Sequence, residues 1–305
     1  MGVLCHHILL IFSLLISWFY IQNSLEVKEK LLIVGCGKLG QKIGNVLSKK
    51  FEIVGIRRKK SNDKIHFQIL ELDIFNNKFK DKIISINPDY IIYSVAADNQ
   101  TEKSYRDSYV NGLILSMDAA LMCSNIKHFF FISSTRVFGQ KSDEFLSEFT
   151  EPLPNDFGGR ALLDGEMLLR NISLPSSTIR LSGIYGGERN HMLGLARRPD
   201  DWPDSNRWTN RIHEDDIILF FSFILDKIKK MPLEPLYLLT DNLPVPIYDV
   251  LNWIRLELDL PKHVKISKNK LDGKKLSSKI IPKLNFNFEY SDYRIGYSSI
   301  VHNIK

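Results

Sequence analysis

Apolar positions come in short unbroken runs, and between the runs they recur at helical spacing. Leu31-Leu32-Ile33-Val34 opens the series, a helical stretch covers Gln41 to Lys49, and Phe51-Glu52-Ile53-Val54-Gly55-Ile56 predicts a second strand. His66 to Asp73 predicts a third strand, followed by a helical stretch around 81–86. Pro88-Asp89 then punctuates a buried strand, Tyr90 to Val95. A long helix is predicted over Ser104 to Cys123, a strand over His128 to Ile132, a helix at about Gly159 to Asn171 and a strand over Ser177 to Leu181. Strands that are apolar throughout are buried on both faces. Their alternation with helices predicts an α/β fold built on a Rossmann-type, doubly wound parallel sheet.

The pattern breaks past Gly183. Residues 186–211 are rich in Gly, Arg, Asp, Pro and Trp with little periodicity, which predicts a loop-rich cap over the strand ends, where ligands sit in such sheets. Asp215 to Lys229 returns to a helical pattern, Tyr237 to Thr240 predicts a strand, and Ile247 to Leu258 a helix bounded by Pro246 and Pro261. The expected division is a Rossmann domain over 30–183 completed by 213–243, with 184–212 and 244–305 forming a smaller C-terminal substrate domain.

Residues 1–29 stand outside that pattern as a hydrophobic extension. The apolar run over 8–21 is short for a membrane span, has no Lys or Arg ahead of it and no small-residue cleavage site after it. It reads either as an anchor, with Lys28 and Lys30 keeping the domain cytoplasmic, or as a mis-assigned start. The remaining composition is that of a globular protein, with 44% hydrophobic and 25% charged residues. The net charge of +6 comes from scattered lysines without aromatic interleaving, so a solvated surface is expected and no nucleic-acid partner. Cys5, Cys36 and Cys123 have neither disulfide nor metal spacing, which suits a reducing, cytoplasmic setting and predicts no metal site.

Candidate chemistry begins where the first strand runs into Gly35-Cys36-Gly37-Lys38-Leu39-Gly40. This G-x-G-x-x-G stands between a strand and a helix, where glycines permit a tight turn and close approach of a pyrophosphate to the helix N-terminus. A dinucleotide is therefore expected on Gly35, Gly37, Lys38, Leu39 and Gly40. Asp73 at the end of the third strand and the small Ala96 and Ala97 after the fourth belong to the same expected set, the alanines leaving room for a ribose or adenine edge. The second strand ends in Arg57-Arg58-Lys59-Lys60, where an NAD-selective protein carries an acid. Guanidinium groups at Arg57 and Arg58 suit a 2′-phosphate, so NADP is expected, with NAD the alternative. The competing reading is a solvated basic turn.

Five further segments, in order, complete a resemblance. Tyr109-Val110-Asn111, Ser133-Ser134-Thr135-Arg136-Val137-Phe138-Gly139, the run Glu148…Pro152…Pro154, Arg180 to Gly186 and Asn210 to Asp216 join the glycine motif. Together they resemble the extended short-chain dehydrogenase/reductase superfamily, which includes nucleotide-sugar epimerases and dehydratases. In that superfamily a Y-x-x-x-K helix supplies the proton donor and the lysine that tunes it. With Glu166 matched to the glutamate four residues beyond that lysine, Gly158 falls at the tyrosine position and Leu162 at the lysine position. The loss of the pair, together with the tail from Gly273 to Ser278 and from Tyr290 to Tyr297, is similar to an atypical subgroup termed nucleoside-diphosphate-sugar epimerase-like, or YeeZ-like.

The resemblance implies an NAD(P)-binding oxidoreductase or epimerase-like protein whose proton donor has been rearranged; the alternative is a non-catalytic NADP-sensing binding protein. Ser134 and Tyr185 are the expected catalytic residues, Ser134 from its place three residues before Val137 and Tyr185 from its place at the opening of the cap. Thr135, Arg207 and Arg211 are the expected substrate contacts. The arginines of the cap suit a small anionic substrate, or else pair with Asp200, Asp201, Asp204 and Glu214. His191 is a weaker acid/base candidate, and His213 beside Asp215-Asp216 reads as structural.

Overall fold

The structure is a computed structural model that describes residues 28–59, 64–141, 144–189 and 191–302. The apolar run over 8–21, Cys5 and Lys60 lie outside the described residues. Among the described residues no helix is long and apolar enough to cross a membrane.

The continuous apolar runs fold as the parallel strands β1 (Lys30–Val34), β2 (Glu52–Arg57), β3 (Gln68–Glu71), β4 (Tyr90–Tyr93), β5 (His128–Ser134), β7 (Ser176–Leu181) and β11 (Leu236–Leu239). They form one seven-stranded sheet in the order β11-β7-β5-β4-β1-β2-β3. The order reverses between β1 and β4, the crevice where doubly wound sheets bind ligands. Alternate residues of each strand feed two cores. Leu31, Ile33, Ile92 and Phe130 pack under α1 (Lys38–Leu47) and α7 (Glu214–Lys227). Leu32, Val34, Ile91 and Phe131 pack under α2 (Phe79–Ile86), α4 (Gly112–Leu121) and α5 (Phe157–Arg170).

The long helix expected from Ser104 to Cys123 is divided. A short α3 (Glu102–Arg106) leads through a π-helical turn, Asp107–Asn111, into α4. The wide turn displaces a backbone carbonyl from the ladder, and Tyr93 donates its hydroxyl to that of Ser108 at 2.6 Å.

Beyond β7 a smaller core gathers Tyr185, Leu193, Trp202, Leu251, Tyr293 and Tyr297 beneath α6 (His191–Arg197), α8 (Ile247–Glu257) and α9 (Tyr293–His302). Short strands tie it to the main sheet's edge loops. β9 (Arg207–Thr209) pairs with β13 (Asp272–Gly273), and β6 (Phe145–Leu146) pairs with β14 (Lys275–Leu276). The parallel pair β8 (Gly183–Tyr185) and β10 (Arg211–His213) continues from β7 into α7.

Candidate functional site

The crevice at the β1/β4 switch opens into a cleft of 970 Å³. Its floor is the glycine turn. Gly35 has φ +77°, and a Cβ there would lie 2.6 Å from the backbone of Val95. The amides of Gly35 and Cys36 both donate to Ile56 O, which fixes the turn against β2. Gly37 is the N-cap of α1 and supplies no side-chain cap, so the first-turn amides, including those of Lys38, Leu39 and Gly40, are left for a ligand. Gly40 packs onto Ile33 and Leu39 is buried, both holding α1 close to β1. The Lys38 side chain turns away and pairs with Glu188.

The far wall carries Arg57, Arg58, Lys59 and Asp73, and the near wall Ala96 and Ala97. The cleft thus brings together every residue expected to hold the dinucleotide except Lys38, Leu39 and Gly40, which stand behind it on α1. The guanidinium of Arg58 grips Asp98 with both terminal nitrogens, and this ion pair holds the Asp98 carboxyl below its usual range. Asp73 accepts from the Phe75 amide at 2.8 Å, which shapes the turn after β3.

A second cleft of 570 Å³ lies between the turn after β5, the start of α5, and the strands β9 and β13. At its inner end Gly158 is buried, and a Cβ there would stand 2.5 Å from Cζ of Arg136. The space next to the helix is filled by the Arg136 guanidinium. Its Nε donates to both oxygens of Asp156 at 3.0 Å, and its Nη1 donates to Tyr105 Oη at 2.6 Å and Gln100 Oε1 at 3.0 Å. The cation also lies 4.8 Å from the Tyr105 ring centre. Leu162, one turn on, is buried in the core of this face. Behind it Glu166 is gripped by Arg180 in a fork and by Ser133 Oγ at 2.5 Å, a buried network that locks α5 to β5 and β7.

Lys274 reaches the same cleft from the C-terminal segment. Its Nζ donates to Thr135 O and to Phe138 O, each at 2.6 Å. Burial pushes this amine down to about 8; Asp156 opposes that shift and Arg136 adds to it.

Of the remaining expected residues only Arg207 lines one of the two clefts. Ser134, at the end of β5, accepts from the Arg136 amide at 3.2 Å and caps the turn. Thr135 is buried and contributes its carbonyl to Lys274. Arg207 is exposed on the wall of the second cleft, with no ion pair among the described residues. Two of the expected residues lie in the interior. Tyr185 is 3% exposed, packed edge-on to His213 at 4.9 Å and against Tyr297 at 4.7 Å. Burial drives its hydroxyl far above the ordinary phenol range, and it lines neither of these two clefts. Arg211 is buried too, donating to Thr209 Oγ1 at 2.5 Å and lying over the Tyr293 ring at 5.0 Å. It braces the cap.

Other cap arginines are engaged as ion pairs, Arg189 with Glu214 and Arg198 with Asp201. His191 is exposed at the start of α6. His213 accepts from the Asp215 amide as the cap of α7 and stacks on Tyr290 at 3.7 Å, and burial holds it neutral. Among the described residues no group of three metal-ligating side chains occurs. Sequence reasoning passed over Arg136 and Lys274, although both sit inside segments it singled out, Ser133 to Gly139 and Gly273 to Ser278.

The family model described as the RmlD substrate binding domain matches residues 29–201. A solved Methylobacillus flagellatus protein, assigned without a stated reaction as an NAD-dependent epimerase/dehydratase, is 33% identical, with a TM-score of 0.82 over 90% of this chain and 98% of its own. The WbmG enzyme of Bordetella bronchiseptica, solved with NAD, has a TM-score of 0.74 at 13% identity over 92% of this chain and 96% of its own. A UDP-N-acetylglucosamine 4-epimerase of Methanobrevibacter ruminantium, solved with UDP-N-acetylmuramic acid, has a TM-score of 0.72 at 14% identity over 90% and 97%. At those identities the last two show a shared fold. No curated protein matches the chain.

Proposed function

This chain belongs to the RmlD substrate binding domain family, among the extended short-chain dehydrogenase/reductases of NAD-dependent epimerase/dehydratase type, and on that premise we propose that it is a nicotinamide-dependent oxidoreductase or epimerase-like enzyme. The observation that carries the reading is the cleft over the glycine turn. Its positive-φ Gly35 backs onto Val95, its Gly37 leaves the start of α1 uncapped, and its alanines are small. These residues fit a dinucleotide, with the pyrophosphate at the α1 amides and the adenosine ribose towards Arg57, Arg58 and Asp73. A bound nicotinamide would supply or accept hydride at a substrate carbon. Relatives of this fold solved with NAD and with a sugar nucleotide support a small, anionic substrate in the second cleft beside Arg207, with Thr135 buried behind its wall. Residues 30–183 with 213–243 would hold the cofactor, and 184–212 with 244–305 the substrate. A cytoplasmic location belongs to the same reading, supported by the free, buried Cys36 and Cys123.

NADP is the proposed cofactor, with NAD as the competitor. The Arg58 fork is held by Asp98, but both side chains are about half exposed, so a phosphate dianion can exchange with the carboxylate at little cost. The second reading, a non-catalytic NADP sensor, is favoured by Gly158 and Leu162, neither of which can move a proton.

Fluorescence titration of the full chain with NADPH and NADH tests the cofactor. Replacing Arg57 and Arg58 together by Ala is expected to weaken NADPH by about tenfold or more and NADH by much less. Equal losses would refute 2′-phosphate recognition. Oxidation of bound NADPH by keto-sugars, nucleotide sugars or small aldehydes decides for an enzyme; tight binding without turnover across that panel decides for the sensor.

A further inference from the structure

Lys274 is a half-buried ionisable group for which the fold has built a setting and the family resemblance offers no role. Its backbone is pinned on both sides. Asp272-Gly273 pairs with Arg207-Trp208, and Lys275-Leu276 pairs with Phe145-Leu146. Asn210 clamps the residue between, donating Nδ2 to Lys274 O at 2.9 Å and accepting from the Leu276 amide at 2.8 Å. Glu148 anchors the following turn through Ser278 Oγ and the Lys279 amide. The side chain is thereby aimed at the turn that ends β5, and the residue lines the second cleft.

Among the described residues no carboxylate pairs with Nζ. Asp156 is taken by the Arg136 guanidinium and by the Gly159 amide at 2.7 Å. On the same cleft Asp272 pairs with Lys141, Asp204 pairs with Lys268, and Arg207 stands unpaired among the described residues. The partners of Nζ are the carbonyls of Thr135 and Phe138. An ammonium has three hydrogens and an amine has two. Either form satisfies both carbonyls, the ammonium with one proton left over and the amine with its lone pair left over. Losing the proton therefore breaks no contact that holds the segment, and burial in the absence of a counter-ion favours that loss.

We propose that Lys274 Nζ gives and takes the proton at the substrate oxygen, and that the second cleft accepts an anionic carbonyl compound or the matching alcohol, its anion on Arg207. The proposal rests on the hydride-transfer reading above. A bound nicotinamide would supply the hydride to the carbonyl carbon; Lys274 would give its spare ammonium proton to the oxygen and regain one from water in the cleft. Oxidation of the alcohol runs the same transfer backwards.

Pyridoxal 5′-phosphate, an anionic aldehyde, is the probe. A neutral lysine amine adds to its aldehyde carbon, water leaves, and borohydride fixes the imine as a secondary amine that peptide mass spectrometry locates. The full chain is labelled from pH 6 to 10, with NADPH binding followed in the same samples. Lys274 is expected to label with a midpoint near pH 8, as its lowered value requires. At pH 7.5 its neutral fraction exceeds that of exposed lysines, whose midpoints lie at ~10, by close to a hundredfold, so it should label at least about tenfold faster. Arg207→Ala should raise the probe concentration for half-labelling by about fivefold without moving the midpoint. The proposal is overturned if Lys274 labels no faster than exposed lysines, if its midpoint lies with theirs, or if Arg207→Ala changes nothing. A wild type that labels as expected but fails to bind NADPH would instead overturn the cofactor reading.

Discussion

Gly35 and Gly37 stand in one motif and are constrained by different things. Gly35 has φ +77° and touches the Val95 backbone, so any side chain there strains the turn and pushes β4 away from β1. Gly37 has φ −77°, which any residue adopts, and the nearest atom to an added Cβ is Gly35 O at 3.9 Å. Its glycine is needed only if something must come close to the start of α1. Gly35→Ala is expected to cost about 2–4 kcal/mol of stability. Gly37→Ala should cost at most about 1 kcal/mol, the loss of a preferred N-cap, yet weaken NADPH by about tenfold. Urea denaturation and fluorescence titration read the two effects apart, and a Gly37→Ala protein with wild-type affinity would remove the pyrophosphate from this turn. The glycines were legible because a sequence motif encodes backbone geometry directly. The burial of Tyr185 and Arg211 was not legible, because a motif position says nothing about which way a loop turns its side chains. Both face inward, into the cap core.

Between elements, the decisive contact is the crossing of α5 over the π-helical turn. A Cβ on Gly165 would overlap the carbonyl oxygen of Tyr109, a backbone atom that cannot swing aside. Gly165→Ala gains about 1 kcal/mol of helix propensity but forces the helices apart. The expected net loss is about 2–3 kcal/mol in urea denaturation. A variant as stable as wild type would mean that the crossing is loose. The contrast is Gly158, where an added Cβ meets the far end of the Arg136 side chain, which can move. The strands and main helices were legible because apolar runs and helical spacing persist over whole elements. The π turn was not, since one extra residue per turn leaves the periodicity of Ser104 to Cys123 almost intact. The pairings β6·β14 and β9·β13 were not either, because strands of two or three residues carry no pattern. Lys274 is 139 residues from Thr135, so no local spacing joins them.

Over the whole molecule, the cap core and the β11 edge of the sheet meet at buried charge that is incompletely paired. Asp241 accepts from the Leu243 amide at 3.1 Å, while its Oδ2 and the Nη1 of Arg211 stand 4.0 Å apart without a hydrogen-bond partner. Burial pushes the Asp241 carboxyl up to about 7 against the pull of Arg211. Its unfolded counterpart titrates near ~3.9. Between these values the folded chain holds a proton that the unfolded chain has released, so folding stability falls as pH rises through the window and the loss is complete above it. Asp216, pushed up to about 6, acts with the same sign. His128, buried against Ser177 and pushed down to about 4, acts with the opposite sign, adding stability as pH rises towards 6.5. Comparison with Asp241→Asn cancels the other groups and isolates this one. The amide retains an acceptor for Leu243 and does not titrate. The variant should therefore gain on the wild type by about 2–4 kcal/mol between pH 5 and pH 8, measured by urea denaturation at each pH. A gap that stays constant across that range would mean that Asp241 is ionised throughout and that Arg211 neutralises it despite the distance between them.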